Sequence, residues 1–131
     1  KAVEAGSTFL VSPGTTAELI EAAKASDVPL LPGIATPSEA MNLLAHGFTH
    51  MKFFPAESAG GVSMVKSIGG PLPQITFCPP GGINLAKAPE YLSLPNVACV
   101  GGTWMAPKEL IAEKRWDEIE KLAREAAQLA R

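Results

Sequence analysis

His50-Met51-Lys52-Phe53-Phe54-Pro55 is a largely apolar run that carries one lysine and ends at a proline. It does not alternate apolar with polar residues, so it reads as a strand covered on both faces, the pattern of a parallel sheet. Similar runs lie on either side of it, at residues 8–12, 29–33, 75–78 and 97–101. With the run at 50–54 included, their starts are 21, 21, 25 and 22 residues apart. Each ends in, or soon meets, a proline or glycine turn: Pro13-Gly14, Pro32-Gly33, Pro55, Pro79-Pro80-Gly81-Gly82 and Gly101-Gly102.

Helical signals fill the intervals. Thr15-Thr16-Ala17-Glu18 offers a capping box from Thr15 to Glu18, followed by Leu19, Ile20, Ala22 and Ala23. Thr36-Pro37-Ser38-Glu39 repeats the device, with Pro37 at the first helical position, where a missing N–H costs nothing. That helix runs through Leu43 and Leu44 to a stop at Gly47. Residues 62–68 form a third helix between glycine pairs, and Asn84 caps a fourth that reaches Tyr91 and Leu92. Trp116, Ile119, Leu122, Ala123 and Ala126 share one face of the last, which reads as a core stripe. Its polar face, within residues 108–131, alternates in charge and is expected to be solvated. The result is a βα unit repeated five times.

Such repeats build either an open doubly wound sheet of the flavodoxin-like kind or part of a closed (β/α) barrel. The even spacing, with every glycine-proline turn after a strand, favours α/β architecture of the TIM-barrel type. At 131 residues the chain is expected to be a single α/β domain over 1–131, since an eight-unit barrel needs roughly 250 residues. Residues 1–6 read as the tail of a helix with no cap before it, as at the start of a fragment. Apolar residues make up 47% of the chain and charged ones 18%, which excludes disorder. A net charge of −2 excludes a nucleic-acid binder that relies on bulk positive charge. No apolar run approaches the roughly 18 residues of a membrane span and no leader opens the chain, so no membrane partner and a cytoplasmic location are expected. Cys78 and Cys99 read as buried thiols outside any disulfide or metal site.

Lys52 carries the most chemistry. A lysine in an apolar strand is disfavoured unless it is paired or used; desolvation lowers its pKa and yields an amine able to form a Schiff base with a carbonyl. The other reading is a stem that packs while the ammonium reaches water. The turns Pro79-Pro80-Gly81-Gly82-Ile83-Asn84 and Gly101-Gly102-Thr103-Trp104 suit either an oxyanion cradle, as in barrels that bind phosphate after their last two strands, or plain tight turns. Glu57 is read as a solvated loop carboxylate or a helix N-terminal charge, with acid–base chemistry the alternative. Trp104 lines the mouth of the site or simply packs. His46 and His50 lack partners at ligand spacing and read as surface or capping residues.

Ser12-Pro13-Gly14, Leu31-Pro32-Gly33-Ile34, Lys52-Phe53-Phe54-Pro55-Ala56-Glu57, Phe77-Cys78-Pro79-Pro80-Gly81-Gly82 and Val100-Gly101-Gly102-Thr103-Trp104 occur in the order and spacing of one family. Over essentially its whole length the chain resembles the KDPG/KHG aldolases, typified by 2-keto-3-deoxy-6-phosphogluconate (KDPG) aldolase. The resemblance implies a (β/α)₈ barrel and a class I aldolase that uses a lysine Schiff base and neither metal nor cofactor. The implied reaction is reversible cleavage of KDPG to pyruvate and glyceraldehyde 3-phosphate, in the Entner–Doudoroff pathway. Many members also cleave 4-hydroxy-2-oxoglutarate to pyruvate and glyoxylate. It makes Lys52 the Schiff-base lysine, Pro13 and Phe54 walls around the pyruvyl group, and Gly81, Gly82 and Thr103 the phosphate site. Pro80 stands where the family usually has a threonine whose hydroxyl contacts substrate, so that donor is lost.

Aligned by motif, the chain corresponds to units four to eight of the barrel. The resemblance places the family's general-base glutamate, with an arginine and a threonine for the substrate carboxylate, in units one to three. Five units leave two open strand edges, so association with copies of itself (trimers are common in the family) or with a complementary N-terminal piece is expected. The contrasting expectation is a non-catalytic barrel fragment that keeps at most a phosphate-binding surface.

Overall fold

The structure, a computed structural model, describes residues 1–129. Its strands are β1 (Leu10–Val11), β2 (Leu30–Leu31), β3 (Gly33–Ile34), β4 (His50–Phe53) and β5 (Thr76–Cys78). Every pairing is parallel and joins strands consecutive along the chain: β1 with β2, β3 with β4, and β4 with β5. β2 and β3 belong to one expected run, interrupted at Pro32, which has no N–H to give a ladder. The Pro32 carbonyl still accepts from Lys52 N–H at 2.8 Å. This consecutive order rules out the flavodoxin-like alternative, whose first strand lies between the second and third.

The strand expected at 97–101 is reduced to two isolated parallel bridges, Phe77 with Val97 and Pro80 with Gly101. Phe77 N–H donates to Asn96 O and Ala98 N–H to Phe77 O, as a regular ladder begins. The next donor would come from residue 79, and proline has none. Gly101 N–H donates to Pro79 O beyond the gap, at 3.1 Å.

The helices are α1 (Ala17–Lys24), α2 (Pro37–Ala45), α3 (Gly61–Gly69), α4 (Ala88–Leu92), α5 (Lys108–Ala112) and α6 (Trp116–Ala127). Thr36 and Glu39 form the expected capping box on α2, with Pro37 in its first turn. On α1 the cap is Thr16, not Thr15: Thr16 Oγ1 accepts from Leu19 N–H at 3.3 Å. Thr15 instead donates its hydroxyl to Gly33 O at 2.9 Å, tying the turn after β1 to β3. Asn84 caps only a turn, accepting from Lys87 N–H at 3.1 Å before α4 begins.

One core joins the helices to one face of the sheet. Met51, Phe53 and Phe77 are fully buried there with Leu43 of α2, Val65 and Ile68 of α3, and Tyr91 of α4. Phe53 and Phe77 meet edge to face, centroids 6.4 Å apart. The opposite face is not covered: His50 is exposed and Lys52, Thr76 and Cys78 are half-buried. The two-sided burial expected of these runs therefore holds on one side alone, and the expectation of two buried thiols fails with it, because Cys99 is exposed. The α6 stripe is also less covered than expected. Trp116 is 57% exposed and no α6 residue is fully buried, because the helix rests on α5 and on an open groove beside Cys99, Val100 and Trp104. Among the described residues no helix is long and apolar enough to cross a membrane.

Candidate functional site

Lys52 owes its place to strand alternation. With Met51 and Phe53 turned into the core, it faces the uncovered side, in register with Gly33 on β3 and Cys78 on β5. Its ammonium lies 4.5 Å from the centroid of the Phe54 ring, a cation–π contact one residue beyond the strand. Among the described residues no carboxylate pairs with it. A hydrogen bond with the Cys99 thiol and burial push the Cys78 thiol up, and the Lys52 charge opposes the rise.

Immediately past β4 the backbone turns through a cis peptide bond between Phe54 and Pro55. Ala56 and Glu57 then donate N–H bonds to the carbonyls of Pro80 and Gly81, at 2.9 and 3.0 Å. The turn after β4 is thereby laced to the turn after β5. Gly81 and Gly82 have φ of +109° and +79°, where L side chains are strained; a side chain would be crowded at Gly81 and has no room at Gly82. A Cβ on Gly81 would lie 3.1 Å from the Ala56 nitrogen, and one on Gly82 2.8 Å from Glu57 Cγ.

These turns and the one at Gly101 and Gly102 enclose a cavity of about 500 Å³ at the carboxyl ends of the strands. Phe54, Pro80, Gly81, Gly82 and Thr103 all line it, as does Trp104. Phe54 is the link between the two parts of the site, since one ring both borders the cavity and carries the Lys52 ammonium. Trp104 also packs on the core, and its indole N–H is buried without a partner. Pro13 is not on this cavity. It is exposed at the end of β1, its backbone pressed against Gly33, and Ser12 Oγ accepts from Gly33 N–H at 3.3 Å.

His46 donates Nδ1–H to the Asn42 carbonyl at 2.8 Å at the end of α2, and His50 meets the Thr49 hydroxyl at 3.2 Å. Both lie toward the amino ends of the strands, beside a groove that Phe9, Leu30 and Phe48 also line. Glu57 is neither freely solvated nor in the cavity lining. Its carboxylate accepts the Tyr91 hydroxyl at 2.5 Å and pairs with the Lys87 ammonium; these two donors hold it below the usual carboxylate range. Nothing local in the sequence marks those contacts, because Tyr91 and Lys87 lie on the next βα unit.

A parallel βα sheet in consecutive order, with a lysine beside a glycine-lined cavity at the strand ends, defines a barrel-type α/β protein with its site where that fold class gathers chemistry. The family model of KDPG and KHG aldolases matches residues 1–122. The chain belongs to that family. It is 50% identical over 122 residues to a 2-dehydro-3-deoxy-phosphogluconate aldolase of Pseudoalteromonas atlantica, which covers 93% of this chain and 57% of that one. Its fold superposes with a TM-score of 0.93 and 51% identity on a KDPG aldolase from Legionella pneumophila whose crystal structure holds pyruvate captured at low pH as a covalent carbinolamine. That match covers 95% of this chain and 60% of the other. A Zymomonas mobilis KDPG aldolase solved with 3-phosphoglycerate gives a TM-score of 0.91 and 43% identity, covering 99% of this chain and 61% of that one. The chain thus spans about three fifths of the length of the proteins it matches.

Proposed function

We propose that this chain carries the Schiff-base portion of a class I aldolase that cleaves KDPG to pyruvate and glyceraldehyde 3-phosphate, and 4-hydroxy-2-oxoglutarate to pyruvate and glyoxylate. In this reading residues 1–131 are one domain and form five of eight βα units. A complementary N-terminal piece, or further copies of the chain, as in a trimer, complete the site in the cytoplasm. The observation that carries it is the single Phe54 ring shared by the Lys52 ammonium and the glycine-lined cavity. The share of each relative's length that the chain spans, close to five eighths, supports the unit count.

The chemistry assigns a role to each group. Deprotonated Lys52 Nζ adds to the keto carbon, giving a carbinolamine that loses water to a protonated imine. As a base takes the proton from the C4 hydroxyl, the C3–C4 bond breaks and its electron pair enters the iminium, leaving an enamine and the aldehyde product. Protonation at C3 and hydrolysis then release pyruvate and free the lysine. Phe54 packs beside the pyruvyl group, and the N–H groups around Gly81 and Gly82, with the Thr103 hydroxyl, receive the phosphate. Pro80 shapes the cavity wall without donating a bond; Pro13, which lies outside that cavity at the end of β1, is assigned to the pyruvyl end of the site. No described carboxylate lies against Lys52, so the base for the C4 hydroxyl comes from the completing units.

Incubation with pyruvate and borohydride, followed by intact-mass measurement against the 13.7 kDa chain, tests the proposal. One reduced pyruvyl group on Lys52, absent in Lys52→Ala, is the expected result. An unmodified Lys52 would leave a chain with the family's fold and none of its covalent chemistry.

A further inference from the structure

Glu57 stands at the meeting point of three pieces of chain. Its backbone N–H holds the Gly81 carbonyl at 3.0 Å, beside the same bond from Ala56 to Pro80. Its carboxylate reaches past the glycine turn to Tyr91 and Lys87, so it grips that turn and the helix region that follows it. Gly82 is pinned between, without space for a Cβ against Glu57. The start of α3 closes the third side: a Cβ on Gly61 would lie 3.5 Å from the Tyr91 hydroxyl oxygen and 3.7 Å from Glu57 Oε1. Tyr91 is itself 1% exposed, so this anchor is rooted in the core.

The other end of the short segment is the reactive one. Glu57 follows Phe54 by three residues and Lys52 by five, with no glycine between. Movement of Glu57 relative to Gly81 therefore changes the separation of the lysine from the glycine cradle. Glu57 is not part of the cavity lining, and its carboxylate is engaged by Lys87 and Tyr91, which removes it from the reacting atoms.

We propose that Glu57 is a positioning residue: by clamping the turn after β4 to the turn after β5 through Tyr91 and Lys87, it fixes the distance between Lys52 and the glycine cradle, and so selects keto acids that bear a phosphate at the far end. The proposal rests on the reading of Lys52 and the cradle given above. A ligand that occupies only one end does not sense the clamp. A ligand that must reach both ends does, because misplacement of about 1 Å costs such a substrate up to about a hundredfold in productive binding.

The test uses Tyr91→Phe, which removes the buried donor and keeps the ring, with Glu57→Leu and Glu57→Gln, the last retaining an oxygen for Tyr91. Borohydride trapping on Lys52 is measured against concentration for pyruvate, which reaches the lysine alone, and for KDPG, which spans both ends. Tyr91→Phe and Glu57→Leu are expected to raise the half-saturating KDPG concentration about tenfold while pyruvate stays within about twofold, and Glu57→Gln is expected to restore most of the loss. Equal shifts for both ligands, or none, overturn the clamp as a selector. Amide exchange at Ala56 and Glu57, followed without ligand, separates this from failure of the aldolase reading. Unchanged exchange in Tyr91→Phe overturns the clamp itself. Faster exchange in a chain that traps neither ligand upholds the clamp and removes the selectivity and the aldolase chemistry together.

Discussion

Along β4, adjacent residues meet opposite surroundings. Met51 and Phe53 are wholly enclosed by α2, α3 and the ring of Phe77, whereas Lys52 between them faces a side with no helix on it. One face of the sheet is thus close-packed and apolar, and the other carries a lysine, a histidine, a threonine and a thiol within a few residues. Strand alternation alone produces the division. The packed face holds the backbone in register, which lets the other face present an amine that no ion pair occupies among the described residues. Stability and chemistry have been assigned to opposite sides of the same few residues.

Substitutions at neighbouring positions break that division if it is wrong. Phe53→Ala removes a fully buried ring from its edge contact with Phe77 and is expected to cost about 3–5 kcal/mol in urea or thermal unfolding. Lys52→Ala, one residue away, is expected to change stability by no more than about 1 kcal/mol, the size of a single exposed cation–π contact, while abolishing pyruvate trapping. A stability loss at Lys52 comparable to that at Phe53 would mean that the open face is also structural core. Gly82→Ala sits between these extremes. It places a side chain at φ +79° and a Cβ 2.8 Å from Glu57 Cγ, and about 1–3 kcal/mol of destabilisation is expected, with weaker phosphate binding by the same turn. A neutral Gly82→Ala would show that the turn opens freely and is no cradle.

The same contrast explains what could be read from the chain in advance. The spacing of apolar runs and the turn residues after them located β1 to β5, because those signals are local. The capping box of Thr36 and Glu39 is equally legible, since it spans only four residues. The motif around Lys52 and the glycine pair pointed to the residues that line one cavity, although Pro13 falls outside it. Other features depend on neighbours distant in sequence. The run at 97–101 has strand composition, but its ladder stops where Pro79 on the partner lacks an N–H. Thr15 and Thr16 offer the same hydroxyl, and only the approach of Gly33 decides which one caps α1. Trp116 obeys helical periodicity yet stays 57% exposed, since periodicity identifies a face and not what covers it. Glu57 has an ordinary loop context; its partners lie 30 and 34 residues onward.

The smallest expected effect concerns that carboxylate, and it sharpens the comparison by asking whether the turns at the strand ends hold any stability of their own. Hydrogen bonds from Lys87, then from Tyr91, keep the Glu57 pKa in the folded chain below its ordinary value of about 4.3. A folded-state pKa that is depressed stabilises the protein fully above the unfolded value and loses that contribution as pH falls through the folded one. Because the Lys87 side chain is 47% exposed, solvent screens the pair and the contribution is expected to be below about 1 kcal/mol. Glu18 and Glu39 are shifted in the same direction by their own caps, so acid unfolding of the wild type alone does not isolate Glu57. The difference between wild type and Glu57→Gln does, because the caps are common to both. That difference, measured by urea unfolding from neutral pH downward, is expected to be constant until about pH 5 and then to shrink as the carboxylate takes up a proton. A difference that persists unchanged into strong acid would assign the effect to the shape of the side chain, leaving its charge without a part in joining the two turns.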